Sequence, residues 1–131
     1  MAAPPVHALI LFAHGARDAR WAQTLEQLRD AVRLRRPRSL VSLAFLEFQE
    51  PTLVKALDAA AATGCTQIEI APVFWATGGH LTNDVPPLLD RFCGTHPAVQ
   101  LRMLPVLSEL PGMTDFIASA LDALSAPRPA G

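Results

Sequence analysis

The chain has 131 residues, a length that suits one domain with one hydrophobic core. Half of the residues are hydrophobic and 18% are charged, which excludes an intrinsically disordered chain. Eleven Lys and Arg stand against twelve Asp and Glu, and the net charge of -1 lacks the basic excess that a nucleic-acid partner requires. No nucleic-acid partner is therefore expected.

The apolar runs are too short for a membrane span, which takes roughly 20 residues. No basic residue precedes the first run, as a secretory signal would require. The two cysteines, Cys65 and Cys93, form no CxxC pattern, and we interpret them as buried free thiols in a reducing compartment. The sequence therefore predicts a cytoplasmic protein that does not bind membranes.

Four strand and helix pairs follow one another along the chain. Short apolar or alternating runs predict strands over residues 6–13, 39–46, 67–74 and 98–106. Apolar residues at helical spacing predict helices over residues 19–36, 52–62, 83–92 and 113–124. Residues 126–131 are expected to form a frayed tail. This alternation predicts a single α/β domain over residues 1–131, with a four-stranded parallel sheet and helices on both faces.

Three residues mark the ends of the middle helices. Thr52 is placed to cap the second helix with its hydroxyl, and Gly64 is placed to end it. Asn83 or Asp84 is expected to cap the third helix.

Two histidines and a glutamate follow the first three predicted strands. His14 and Glu47 come directly after strands, and His80 comes after a glycine loop. Because ligands of parallel sheets gather beyond the carboxyl ends of the strands, these side chains are predicted to share one rim. Neutral imidazole and carboxylate suit iron(II), cobalt(II), nickel(II) or zinc. The other histidines, His7 and His96, lack this placement and are predicted to be structural.

Residues near these candidates could bind a ligand larger than an ion. Gly78 and Gly79 would allow the backbone to approach a flat molecule closely, although a plain turn also explains the pair. Phe74 and Trp75 could stack on a macrocycle or pack in the core. Arg17 could bind substrate carboxylates with its planar fork, an ordinary salt bridge being the alternative.

Three segments together resemble one family: LILFAHGARD at 9–18, FLEFQEPTL at 45–53 and PVFWATGGHLTNDVPPLL at 72–89. The chain resembles the short-form sirohydrochlorin chelatases, the CbiX/SirB group of class II tetrapyrrole chelatases. The resemblance implies a chelatase-like α/β fold and a lyase that inserts cobalt or iron into sirohydrochlorin without ATP, in cobalamin or sirohaem biosynthesis. It also implies a homodimer, with no cofactor beyond the divalent metal substrate (Co2+, Fe2+ or Ni2+).

The family's catalytic and metal-binding histidines fall on His14 and His80, and its acidic partner falls on Glu47. Many relatives carry a small hydroxyl residue where this chain has Ala16, so a hydrogen bond from that hydroxyl is missing here. We expect this to tune the activity without abolishing it.

The chemistry independently requires a base and a metal ligand that face the same ring centre. Two pyrrolic N–H protons must leave the tetrapyrrole while the ion sheds its water. A non-catalytic carrier of metal or tetrapyrrole would use the same residues and stays an alternative. A histidine phosphatase also has a His-Gly pair after its first strand, but Ala13 replaces the arginine that precedes that histidine. A hydrolase with a cysteine nucleophile is a remote third alternative.

Overall fold

The computed structural model describes residues 4–125, with the side chain of His80 excepted. The predicted tail at 126–131 lies outside these residues. Strands and helices alternate along the chain as β1 (His7–Ala13), α1 (Arg20–Arg35), β2 (Leu40–Phe45), α2 (Leu53–Thr63), β3 (Gln67–Pro72), α3 (Val85–Thr95), β4 (Gln100–Met103) and α4 (Met113–Leu124). A π-helical turn (His80–Asp84) precedes α3, and a 3-10 turn (Leu107–Glu109) precedes α4.

The four strands form one parallel sheet in the order β2-β1-β3-β4. The central β1 pairs with both neighbours, so that Leu11 stands opposite Leu43 of β2 and Ala71 of β3. From β1 the chain moves to one side of the sheet, and from β3 it moves to the other. The carboxyl ends of β1 and β3 therefore border the point where the strand order reverses, which is where open α/β sheets bind ligands.

Alternation along β1 divides the interior into two layers. Ile10 and Phe12 are buried in a cluster with Leu57 of α2 and Phe92 of α3. Leu11 points the other way, into a second cluster with Leu25 of α1. Helices thus cover both faces of the sheet, and the predicted fold class is confirmed.

The predicted ends of α2 are confirmed. The Thr52 hydroxyl accepts a hydrogen bond from the backbone N–H of Lys55 at 3.3 Å. Gly64 ends the helix in the left-handed conformation, with a φ of 104°.

Asp84, one of the two residues predicted to cap α3, lies at the N-cap position but makes no capping hydrogen bond. Asn83 lies inside the π-helical turn, and the side chain of Asp84 does not cap the helix. The physical reason is that the backbone is already helical from His80 onward. The carbonyl groups of this π-helical turn stand where they can accept the hydrogen bonds that a capping side chain would otherwise accept from the first N–H groups of α3.

All four strands are shorter than predicted, β1, β2 and β3 by one or two residues and β4 by more. β3 ends at Pro72, and β4 covers only four residues at the edge of the sheet. Pro105 follows β4, and a proline cannot donate the hydrogen bond that would continue the pairing.

The cysteines do not share one environment. Cys65 is buried beside the core, whereas Cys93 is exposed, so the prediction of two buried thiols is wrong for Cys93. Phe92 takes the inward position on α3, and the next residue of a helix points about 100° away.

The two histidines expected to be structural make local contacts. His7 bonds the Ser39 hydroxyl through Nδ1 at 2.8 Å and the Glu69 carboxylate through Nε2 at 2.6 Å. His96 stacks on the ring of Phe92 with the centroids 4.3 Å apart.

The last helix contributes no buried residue. α4 has an apolar side, yet Phe116 and Leu124 are 67% and 84% exposed. No helix within residues 4–125 is long and apolar enough to cross a membrane.

Candidate functional site

His14 and Glu47 lie at neighbouring positions on the carboxyl rim of the sheet. Each follows its strand, β1 or β2, within two residues, and these strands are paired. The Nδ1 atom of His14 is 3.8 Å from the Oε1 atom of Glu47, and both side chains are about half exposed. The structure therefore brings together two of the three predicted ligands on a partly exposed part of the rim.

The backbone holds these two residues close together. The N–H of Leu46 donates to the carbonyl of Ala13 at 2.9 Å, and the N–H of Glu47 donates to the carbonyl of His14 at 3.1 Å. Strand pairing thus continues past the ends of β1 and β2 into the loops that carry the side chains.

Phe74 contacts the imidazole of His14 from the side of the core. The two rings meet edge-on with centroids 5.3 Å apart, and Phe74 meets Phe12 in the same way at 5.7 Å. Trp75, by contrast, is 54% exposed at the rim. Of the two aromatic residues predicted to stack on a ligand, Trp75 is the one whose ring faces solvent, while Phe74 supports His14.

Arg17 stands over an aromatic residue that the sequence analysis missed. Its guanidinium carbon is 4.9 Å from the ring centroid of Phe48, a cation–π distance. Phe48 is 56% exposed and has a φ of 68°, a conformation that non-glycine residues seldom adopt. An aromatic residue next to the predicted ligand Glu47 was the only signal in the sequence.

The third predicted ligand begins the π-helical turn. The backbone of His80 follows β3 and the glycine pair, on the other side of the switch point from β2. Among the atoms that the structure describes, a Cβ atom at Gly78 would meet none within 4 Å, and one at Gly79 would meet Asn83 Nδ2 at 3.8 Å. Internal packing therefore does not require these glycines, and the space beside them is open.

The side chains that the structure describes, which do not include His80, form no group of three or more potential metal ligands. The prediction that His14, Glu47 and His80 hold one ion stays a prediction, as do the ligand-binding roles of Arg17, Phe74, Trp75, Gly78 and Gly79.

The decisive comparison is with a protein family. Residues 8–124 match the CbiX family, which is nearly the whole chain. The chain belongs to the CbiX family. The resemblance seen in three separate segments is confirmed, and the match extends it through α4.

Curated relatives of this CbiX chain are named sirohydrochlorin cobaltochelatase. The protein from Methanocaldococcus jannaschii is 37% identical over 91 residues, which cover 70% of this chain and 64% of that protein. The protein from Methanosarcina barkeri is 32% identical over 90 residues, 66% of this chain and 69% of that protein. The match thus spans about two thirds of the length of these relatives.

Solved structures agree with the fold. A CbiX protein from Marinobacter aquaeolei VT8 superimposes with a TM-score of 0.76 at 30% identity, covering 90% of this chain and 96% of that one. SirB from Bacillus subtilis, solved with Fe3+, gives a TM-score of 0.77 at 21% identity. The SirB match covers 92% of this chain but 48% of SirB. The predicted chelatase-like fold is confirmed by both.

Proposed function

We propose that this protein is a lyase that inserts cobalt(II) or iron(II) into sirohydrochlorin without ATP. The observation that carries the proposal is the pairing of His14 and Glu47 on the carboxyl rim of a CbiX-family sheet, with His14 bordering the switch point. Relatives named sirohydrochlorin cobaltochelatase support the substrate. A sirohydrochlorin chelatase, SirB, that was solved in complex with cobalt supports the metal.

The distance between the two side chains suits joint binding of one ion. Two atoms that each lie about 2.1 Å from a metal stand roughly 3–3.5 Å apart at right-angled or tetrahedral positions. The 3.8 Å between His14 Nδ1 and Glu47 Oε1 needs only a small side-chain movement to reach that range. We assign the second imidazole to His80, which follows the neighbouring strand β3.

Insertion exchanges two pyrrole N–H protons for one divalent ion, so two protons must leave the ring. The neutral imidazoles of His14 and His80 hold the incoming ion. As the ion passes to the ring, the imidazole that releases it regains a free lone pair and accepts one pyrrole proton, and the second proton leaves to solvent water. Glu47 completes the metal shell or orients an imidazole. The half-exposed side chains of His14 and Glu47 leave room for the ring to approach from solvent.

Residues around this pair are assigned to the tetrapyrrole. Arg17 binds a substrate carboxylate, and Trp75 packs against the ring. The open space beside Gly78 and Gly79 admits the flat macrocycle. No other cofactor is proposed.

An insertion assay with purified protein, sirohydrochlorin and Co2+, Fe2+ or Ni2+ in turn, followed by absorbance, tests this function. His14→Ala and His80→Ala should each lower the rate at least about 100-fold, the size expected for losing a proton acceptor or ligand. His96→Ala is the matched control, because its ring stacks on Phe92 in α3, and its rate should stay near wild type.

Near-wild-type rates in both site variants would refute the assignment. If the wild-type protein binds metal or tetrapyrrole but inserts the metal no faster than the uncatalysed reaction, it is a non-catalytic carrier and not an enzyme.

We also propose that two copies pair through α4, in the cytoplasm. The exposed apolar residues of α4 support this, as does SirB, of which this chain matches about half. Both cysteines are free thiols, which supports a reducing compartment.

The substitution Leu121→Asp tests the dimer. It should convert the dimer to a monomer in light scattering, while Ser119→Asp, at another exposed position of α4, should not. A monomeric wild type would refute the dimer.

A further inference from the structure

A side-chain hydrogen bond joins the loops that carry His14 and Glu47, in addition to the backbone bonds and the contact of Arg17 with Phe48. The Oε1 atom of Gln49 accepts a hydrogen bond from the backbone N–H of Ala16 at 3.1 Å. Ala16 lies two residues after His14, and Gln49 lies two residues after Glu47. This hydrogen bond therefore lies just beyond the last backbone bond between the loops, from Glu47 N–H to the His14 carbonyl.

Phe48 and Gln49 are neighbours in the chain, but the ring of Phe48 is exposed whereas the side chain of Gln49 is half-buried. Phe48 has a φ of 68° and an exposed ring. The Gln49 side chain accepts the hydrogen bond from Ala16, which lies in the loop after β1. An unusual backbone conformation at a rim residue is thus accompanied by a contact between the two loops.

The contact adds a hydrogen bond to a segment without regular secondary structure. Gly15 is a glycine in the left-handed region, and the residues from His14 to Ala19 lie between β1 and α1 without regular secondary structure. The hydrogen bonds of strand pairing stop at His14, so Gln49 supplies the next restraint along this loop. Without it, the loop and the imidazole would sample more positions relative to Glu47.

We propose that Gln49 is a positioning residue that keeps His14 at ligating distance from Glu47. The inference rests on the proposed function of this pair as metal ligands. Gln49 itself touches neither of the two polar atoms. Its contribution is to hold the loop in place before the ion arrives, so that less ordering is needed on binding.

Two variants of Gln49 test the proposal. Gln49→Ala removes the acceptor, whereas Gln49→Glu keeps an acceptor oxygen at the same reach, on a carboxylate instead of an amide. Loss of one hydrogen bond of ordinary net strength changes an equilibrium constant about fivefold. Gln49→Ala should therefore bind Co2+ about five- to tenfold more weakly by calorimetry, and Gln49→Glu should bind no more weakly than wild type.

Kinetics separate positioning from a general loss of structure. In Gln49→Ala, kcat for Co2+ insertion should fall about five- to tenfold, and KM for sirohydrochlorin should rise as well, because Arg17 follows Ala16 in the same loop. Gln23→Ala, on the exposed surface of α1, is the matched control and should leave both constants unchanged. Urea unfolding of each variant verifies that the proteins compared are folded.

Each outcome decides the proposal. Gln49→Ala that binds Co2+ as wild type does, or Gln49→Glu that binds as weakly as Gln49→Ala, would overturn the role of Gln49. His14→Ala is titrated alongside. If that variant also binds Co2+ as wild type does, the metal site itself is refuted; if it loses binding while Gln49→Ala does not, only the positioning role fails.

Discussion

Gly15 and Glu47 approach each other so closely that no side chain fits between them. A Cβ atom built on Gly15 would stand 1.9 Å from the carbonyl oxygen of Glu47, and the φ of Gly15 is 92°. Both the space and the backbone conformation therefore require glycine. The His-Gly pair that resembles a family motif thus has a physical cause, since glycine lets the loop after β1 lie directly against the loop after β2.

Gly15→Ala should lower the free energy of unfolding by at least about 2 kcal/mol, because alanine is strained at this φ and its methyl group meets backbone atoms. Urea unfolding at neutral pH measures this. Gly94→Ala is the control: a Cβ atom there meets nothing within 4 Å, and alanine is the better helix former by about 1 kcal/mol. An unchanged midpoint for Gly15→Ala would contradict the packing described here.

The sequence predicted which residues follow the strands at the candidate site, but not the contacts that these residues and their neighbours make. His14 and Glu47 could be predicted as neighbours because each follows an apolar run, and residues after parallel strands meet at one rim. The order β2-β1-β3-β4 could not be read from those runs, since every strand is apolar in a similar way. The bond from Ala16 to Gln49 depends on that order and on the φ of Phe48, so only the structure reveals it.

Other differences arise where a local pattern fits two environments. Phe74 and Trp75 are adjacent aromatic residues that look alike in the sequence. In the structure Phe74 packs against His14, whereas Trp75 is exposed at the rim. α4 has the apolar periodicity of a core helix, yet it buries no residue within the chain. Periodicity shows that a helix has an apolar side, not what covers it.

Phe74 and Trp75 should respond differently to substitution. Trp75→Ala should raise KM for sirohydrochlorin with little change in melting temperature, because the ring is exposed. Phe74→Ala should lower the free energy of unfolding by about 2–4 kcal/mol, because it leaves a space beside Phe12 and His14. Thermal unfolding and steady-state kinetics of both variants measure the two effects. A large stability loss in Trp75→Ala would contradict its place on the rim.

The two thiols should react at very different rates. Cys93 is exposed on α3, whereas Cys65 is buried, and burial raises the pKa of the Cys65 thiol. Since the thiolate is the reactive form, Ellman's reagent at pH 8 should modify one thiol rapidly in the folded protein and both in guanidinium. Cys93→Ser should lose the rapid phase. Two thiols of equal rate in the folded wild type would show that Cys65 is accessible.

Glu69 makes the stability of the fold depend on pH. Its carboxylate accepts hydrogen bonds from His7 Nε2 at 2.6 Å and from Arg102 Nε at 2.9 Å. Burial alone raises the pKa of Glu69, but the hydrogen bonds from His7 and Arg102 and the charges of both outweigh burial and hold the pKa below its usual value of 4.5. A carboxyl group whose pKa is lower in the folded state stabilises the fold above the unfolded pKa, and that stabilisation is lost as the pH falls through the folded pKa.

Glu69→Gln should therefore unfold at lower urea than wild type at pH 7, by about 1–2 kcal/mol, because a neutral amide accepts weaker hydrogen bonds than a carboxylate. The difference between the two proteins in free energy of unfolding should narrow as the pH falls below 4.5, the usual pKa at which a Glu carboxyl becomes protonated in the unfolded chain. Urea unfolding of wild type and variant at several pH values between 7 and 3 gives the free energy of unfolding of each protein as a function of pH. Glu109→Gln, at an exposed position in the 3-10 turn, serves as control and should differ little from wild type at any pH. A Glu69→Gln deficit that stayed constant down to pH 3 would mean that lost packing, not the charge on this carboxylate, weakens the variant.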